Sequence, residues 1–303
     1  MSGKIWVLGS LNMDFSLECD AMPKLGETLS GSGFMMNEGG KGGNQAVACA
    51  RMGADTSMIA KVGIDSVGSQ LKGSLSKNNI NCDFVYENGT QSGIAMIVRI
   101  KGDNFIILNP GSNHELTLEE TGSVIENEVS KGDFLIAQLE CVPEMVFESL
   151  KLAKSKGVTT ILNPAPAKLI PDEYFEYIDY FIVNQTECEF YTGIYPNQES
   201  ECKLAMDKLC KMGVKFPLIT LGSNGSVAFD GEKIVSANAY KAEAVDTTGA
   251  GDTYIGAFCA KRILGESLEK AMDFASKASA VTVTRLGAQK SIPNLSEVEN
   301  YLG

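Results

Sequence analysis

From about residue 133 onward, short apolar runs alternate with longer stretches in which apolar residues recur every three or four positions. The short runs read as buried strands and the longer stretches as helices. The predicted strands are Asp133–Gln138, Val158–Leu162, Asp179–Val183 and Pro217–Leu221. Helices are predicted over about 143–156, 198–212, 250–264 and from Ser267 to about Arg285, with stops at Gly157, Gly213 and Gly265. A hairpin is predicted over 226–240. The first half of the chain is less regular. Residues 4–9 and 57–62 read as strands, and 66–78 and Ala46–Met52 as helices. Residues 14–19 and 27–36, with a hairpin over 93–109 turning at Lys101–Asn104, interrupt the alternation with further β structure.

Strand–helix alternation at this spacing predicts an α/β fold with a mainly parallel sheet covered on both faces. Strands set apart from that sheet, at about 14–36 and 93–109, predict a small β subdomain that serves as a lid or a dimerisation face. The chain of 303 residues is expected to fold as a single domain around one large core.

Composition narrows the class. Apolar residues make up 44% and charged residues 21%, as in globular proteins. A net charge of −12 argues against nucleic acid and anionic membranes as partners, because both need cationic surface. It leaves local phosphate sites open. The eight cysteines form no CxxC pair, which predicts reduced, buried thiols rather than a zinc site. The absence of a recognisable signal segment or long apolar run predicts a cytoplasmic protein.

Two glycine-rich stretches carry the candidate chemistry. In Asp246-Thr-Thr-Gly-Ala-Gly-Asp252, Gly249, Ala250 and Gly251 precede an apolar helical pattern. Helix N-termini present outward N–H groups that bind anions, and Asp252 stands in that first turn. An acid beside an anion hole points to phosphoryl transfer onto a hydroxyl, with Asp252 accepting the proton. The helix dipole favours its charged form, which makes it a weak base. The same arrangement is also compatible with an acid that only complements the dipole. The second stretch, Glu38-Gly-Gly-Lys-Gly-Gly-Asn-Gln45, offers close backbone approach together with Lys41 and Asn44. It suits a polyhydroxylated or anionic ligand, or a plain flexible turn. It is neither a Walker A loop nor a dinucleotide fingerprint. Asn12, Asp14, Glu140, Asn184 and the 222–225 turn all fall at predicted strand ends, where open α/β sheets bind ligands. Asn12 and Asp14 face one side if extended, and an Asx turn is the other reading of that pair. The lone His114 lies in a polar loop and receives no role.

The pairing of Gly39–Gln45 with Asp246–Asp252 resembles the two signatures of the ribokinase-like (pfkB) carbohydrate kinases. Gly9–Asp14, Asn163–Ala167, Thr220–Gly225 and Thr284–Gln289 also resemble segments of that family, so the likeness covers nearly the whole chain. The resemblance implies a three-layer α/β/α fold with a small β-sheet lid, which in the family also forms a homodimer. It implies transfer of phosphate from ATP to the 5-hydroxyl of D-ribose. Asn12, Asp14, Gly40, Lys41, Asn44 and Glu140 would hold the sugar. Asp252 would be the base, with Gly249, Ala250 and Gly251 as the anion hole. Asn184, Thr220, Gly222, Ser223, Gly225, Gly251 and Ser276 would hold the nucleotide, and Asn184 with Glu187 would place Mg2+. Asp246, Thr248, Thr282, Arg285, Gly287 and Ser291 match the family's site for an activating monovalent cation such as K+, several through backbone carbonyls. The chain departs from the family at Gln185, often acidic there, and at Ser276, where His or Asn often meets the adenine. Another acceptor (deoxyribose, a ketohexose or a nucleoside) and a non-catalytic sugar sensor are the alternative readings.

Overall fold

The computed structural model describes residues 3–100 and 103–301. Two sheets form. The strands are β1 (Ile5–Leu8), β2 (Asn12–Glu18), β3 (Ser32–Gly39), β4 (Thr56–Gly63), β5 (Asn81–Gly89), β6 (Gly93–Ile100), β7 (Asp103–Asn109), β8 (Phe134–Gln138), β9 (Thr159–Asn163), β10 (Tyr180–Asn184), β11 (Phe216–Thr220), β12 (Ser226–Phe229) and β13 (Ile234–Ala237). The helices are α1 (Lys41–Arg51), α2 (Ser66–Lys77), α3 (Leu118–Asn127), α4 (Pro143–Ser155), α5 (Gln185–Thr192), α6 (Glu199–Lys211), α7 (Ala250–Ile263), α8 (Leu268–Thr282) and α9 (Leu295–Glu299). The large sheet runs β13-β12-β11-β10-β9-β8-β1-β4-β5, and the small one β3-β2-β6-β7. Pairing in the large sheet is parallel from β11 to β5 and antiparallel only at the β11–β12–β13 edge.

Alternate side chains of each central strand enter different cores, as the period of two requires. Ile5 and Val7 join α1, α7 and α8 residues such as Val47, Phe258 and Met272. Trp6 and Leu8 join α3, α4 and α6 residues such as Ile125, Leu150 and Leu209. The sheet is thus covered on both faces, and three layers result. Among the described residues no helix is long and apolar enough to cross a membrane. The eight cysteines are free thiols, six of them buried.

Several expectations shift. The glycine stretch at 39–43 is not a loop before a helix starting at Ala46, because α1 already begins at Lys41 with Gly40 as its N-cap. Burial of Gly42, Gly43 and Asn44 against neighbouring elements overrides the poor helix propensity of glycine. Strand β3 starts at Ser32, not 27, after an exposed segment containing Pro23 and Gly26. Strand β5 and helices α3, α5 and α9 add to the elements expected. Most are short, and β5 is an edge strand with mixed burial. Of the 101–104 turn, Lys101 and Gly102 lie outside the described residues.

Candidate active site

Four adjacent parallel strands end in polar residues: Gln138, Asn163, Asn184 and Thr220. Register sets Gln138 opposite Asn163 and Asn184 opposite Thr220. Polar ends on apolar strands mark the edge where the chain can meet a ligand. Helix α7 starts above this edge. Its N-cap, Gly249, has φ of 76°, a conformation glycine reaches without strain. Asp252 then lies in the first turn, only 9% exposed.

Helix α1 delivers the groups that hold Asp252. Asn44 Nδ2 donates to Asp252 Oδ2 at 2.8 Å, and Gln45 Nε2 donates to Asp252 Oδ1 at 2.9 Å. The two helices cross at Gly256, where an added Cβ would stand 2.4 Å from Ala48 Cβ. Gly256 lies one turn after Asp252, and Ala48 one turn after Asn44. The crossing therefore fixes the spacing of Asp252 and its two donors. Burial pushes the Asp252 carboxyl above its usual range, and Lys41, Asn44 and Gln45 pull the other way. Desolvation thus outweighs Lys41, Asn44 and Gln45, and Asp252 is a stronger base than an ordinary carboxylate.

The expected sugar-holding residues gather around this carboxylate. Glu140 Oε2 accepts from Ser10 Oγ, from Asn12 Nδ2 at 3.3 Å and from the Lys41 amide at 3.1 Å. Asn113 Nδ2 donates to Asn12 Oδ1 at 2.8 Å, which turns the Asn12 amide toward Glu140. Burial, then the charges of Glu140 and Asp252, push Asp14 up to about 7. Burial lowers the Lys41 ammonium, yet Asp252, Glu140 and Glu187 together hold it above its ordinary value. The Asn44 Oδ1 atom is buried without a hydrogen-bond partner. An orphan acceptor costs about 1–3 kcal/mol, and a ligand hydroxyl would satisfy it.

A cavity of about 230 Å³ opens beside this cluster. Lys41, Asp252, Gly249, Gly251, Asn184, Glu187 and Thr220 line it together with Thr247. Asn184 and Glu187 form a reciprocal capping box: Asn184 Oδ1 accepts from Glu187 N at 2.8 Å, and Glu187 Oε2 from Asn184 N at 3.0 Å. The pair therefore starts α5 as well as facing the cavity. Burial raises the Glu187 carboxyl, the Asn184 amide and Lys41 lower it, and Asp252 raises it again. Among the described residues no three His, Cys, Asp or Glu side chains cluster to hold a metal. Glu187 with phosphate oxygens is the donor set that suits Mg2+, which commonly takes only one or two protein carboxylates. A wider groove of about 940 Å³ lies between α6 and the β12–β13 hairpin, lined by Cys202, Met206 and Phe229. It lacks a glycine-rich helix start, so the smaller cavity is the candidate site.

The remaining expected residues are dispersed. Gly222 and Ser223 form a short 3-10 turn after β11, closed by Gly225. Ser276 is buried on α8 with an orphan Oγ, and no hydrogen bond joins it to that turn. Asp246 ties two loops together, accepting from Thr248 N at 2.9 Å and from Gly287 N at 3.0 Å. Burial raises its carboxyl, but these bonds and the charge of Arg99 bring it below its usual value. The Thr282 hydroxyl bonds to Ala278 O and Thr253 Oγ1, and the Ser291 hydroxyl to Ala288 O. Arg285 pairs with Glu297. A guanidinium offers a cation nothing, so only the backbone carbonyl at that position suits one. Sequence reading missed Ser10, Gln45, Asn113 and Gln138 as site residues. Gln138 had a signal, being the one polar residue closing Phe-Leu-Ile-Ala-Gln.

Comparison with known proteins gives the family. Residues 2–295 match the model of the pfkB family carbohydrate kinases. The chain is 38% identical to a ribokinase of Staphylococcus aureus, covering 98% of this chain and 99% of that one. It is 40% identical to a ribokinase of Schizosaccharomyces pombe, covering 97% and 96% respectively. The structure of Arabidopsis thaliana ribokinase complexed with ribose and ATP superposes with a TM-score of 0.89 at 31% identity, covering 99% of this chain and 98% of that one.

Proposed function

This chain belongs to the pfkB family of carbohydrate kinases, and from that premise we propose that it transfers the γ-phosphate of ATP to the 5-hydroxyl of D-ribose. The observation that carries the reading is the meeting of two halves at one point. Asp252 stands among Asn12, Asp14, Lys41, Asn44 and Glu140, and borders a cavity rimmed by Gly249, Gly251, Asn184, Glu187 and Thr220. The first group is rich enough in donors and acceptors to pair the hydroxyls of a ribose. It offers no aromatic platform for a nucleoside base. The second group suits phosphates.

Asp252 takes the proton of the attacking hydroxyl as it reaches the phosphorus. A loose transition state asks for little deprotonation before attack, so a carboxylate suffices. The N–H groups at the start of α7 and the Lys41 ammonium meet the charge that builds on the transferred group. Bound Mg2+ neutralises phosphate charge, and Glu187 with Asn184 is the pair that would place it. The turn at Gly222, Ser223 and Gly225, with Ser276, receives the nucleotide. A monovalent cation such as K+ between the Asp246–Thr248 and Arg285–Ser291 loops would set the position of the anion hole.

The small sheet supplies Asn12 and Asp14 on one face. Its other face carries a cross-strand row, Met36, Phe15, Met96 and Ile107, paired directly in register. Ile107 is 73% exposed and Phe34, stacked on Phe15, 64%. An apolar face opposite a sugar-holding face suits a lid that pairs with a second copy of the chain in a homodimer.

The test is ADP release from MgATP with a panel of sugars and nucleosides, each with and without K+. Turnover on ribose, raised by K+, is the expected result. Turnover only on deoxyribose or another acceptor would move the substrate and keep the mechanism. Asp252→Asn is expected to reduce turnover by about 10²–10⁴-fold while ribose still binds. Wild-type turnover in that variant would remove Asp252 from the role of base.

A further inference from the structure

We infer that Gln45, itself oriented by Gln138 and Asn163, is a positioning residue that presents Asp252 to the substrate with an N–H already donated to its Oδ1. The inference rests on the reading of Asp252 as the base. Gln45 is fully buried at 0% exposure, as is Gln138, and Asn163 is 7% exposed. Gln45 Nε2 donates to Asp252 Oδ1 at 2.9 Å and to Asn163 Oδ1 at 3.2 Å. Gln138 Nε2 donates to Gln45 Oε1 at 2.7 Å.

An amide can present either end to a carboxylate, so the direction of this chain needs a cause. It is anchored at the main chain. Asn163 Nδ2 donates to Ile182 O at 3.0 Å, and a backbone carbonyl can only accept. Asn163 must then turn its oxygen to Gln45, and Gln45 its nitrogen to Asn163 and Asp252. From the other end, Gln138 Nε2 closes on Gln45 Oε1 while its own Oε1 packs against Gly9. A Cβ on Gly9 would lie 2.1 Å from Gln138 Oε1, so the glycine makes the space that Gln138 fills. Every link favours an Asp252 that accepts rather than donates, which is the ionised form.

The charges that face Asp252 are Lys41 from α1, Asp14 from β2, Glu140 after β8 and Glu187 from α5. Three of the four are acids that oppose its ionisation. The Gln45 bond works with Lys41 and Asn44 against burial and those acids. None of the three amides in the chain holds the sugar in the proposed function, so Gln45 acts through Asp252.

The experiment compares kcat against pH for Gln45→Met and Gln138→Met at saturating ribose and MgATP. It is run in the otherwise unchanged chain, where Asp14 near 7 is common to parent and variant and the difference between their limbs reads Asp252. Loss of one hydrogen bond to a charged group moves the acid limb up by about one pH unit, so kcat falls by about tenfold on the acid side of the limb and is unchanged well above it. Gln45→Met is expected to show both effects with the ribose KM within about twofold of its parent. Gln138→Met is expected to move the limb the same way by less. If Gln45→Met does not fold, Gln138→Met decides. An unmoved acid limb in the folded variants overturns the inference. So does a loss of kcat that is equal at every pH and tracks a fall in Tm, the signature of a purely structural network. Asp252→Asn separates the two levels. If it keeps turnover, the reading of the base fails. If it abolishes turnover while Gln45→Met leaves the limb in place, only the role of Gln45 fails.

Discussion

Gly256→Ala tests whether the helix crossing sets the geometry of the base. The new Cβ would stand 2.4 Å from Ala48 Cβ and 2.9 Å from Gln45 O. Carbon atoms prefer about 3.5–4.0 Å, so α1 and α7 must separate by roughly 1 Å. A separation of that size along the bonds that hold Asp252, now 2.8 and 2.9 Å, carries them past the limit of hydrogen-bond geometry, about 3.2–3.5 Å. Losing one such bond to a charged group removes about 1.5–3 kcal/mol, or roughly 10–100-fold in kcat if it acts on the transition state. Stability should change less. Overpacking costs about 1–3 kcal/mol and alanine in a helix returns about 1 kcal/mol, which leaves a net loss of roughly 0–2 kcal/mol. Thermal unfolding and saturated ADP-release kinetics on the same preparation read both quantities. Gly73→Ala in α2 is the control, since no atom lies within 4 Å of its added Cβ. It should gain up to about 1 kcal/mol and leave kcat unchanged. A folded Gly256→Ala protein with wild-type kcat would refute the claim that this crossing positions Asp252.

Asp14 makes folding pH-dependent. Its carboxyl is raised in the folded state, so its contribution is most favourable at low pH and is lost as pH rises toward about 7. Asp14→Asn should therefore raise Tm at pH 8 more than at pH 5, and equal shifts at both would show that Asp14 is not perturbed. On the small sheet, Ile107→Lys should turn a dimer into a monomer by light scattering, with Tm little changed for a surface position. A wild-type chain already monomeric at micromolar concentration would end the dimer proposal. At the capping box, Glu187→Gln keeps an oxygen for Asn184 N and removes the charge, so it should raise the Mg2+ requirement without loss of stability. Glu187→Ala removes both and should also lose about 0.5–2 kcal/mol. Equal Tm losses in the two would show that the carboxylate charge, not the cap, stabilises α5.

The layered fold could be read because the central strands are continuous apolar runs, and the helices between β8 and α8 have strong period and glycine stops. The start of α1 could not, since Lys-Gly-Gly-Asn is a poor helix sequence that forms only because α7 and the sheet bury it. Asp252, Asn44 and Glu140 stood out as polar residues at glycine turns and strand ends. What surrounds Asp252 beyond the helix dipole is absent from local sequence. Burial raises its carboxyl, and the groups that oppose that rise, Asn44 and Gln45, stand 208 and 207 residues away in the chain. Gln45 was hidden for the same cause, because in sequence it is one more residue of a motif whose neighbours looked more chemical.

The capping box at Asn184 and Glu187 has an evolutionary consequence. A descendant released from catalysis would keep the cap, Asn184 with a Glu or Gln at 187, since it begins α5 whether or not phosphate ever arrives. Asp252 is under the opposite pressure. Its burial strains the folded state, and only turnover rewards keeping it. The acid at the start of α7, rather than the Asn-x-x-Glu pair, is therefore the mark by which working members of this lineage can be told from retired ones.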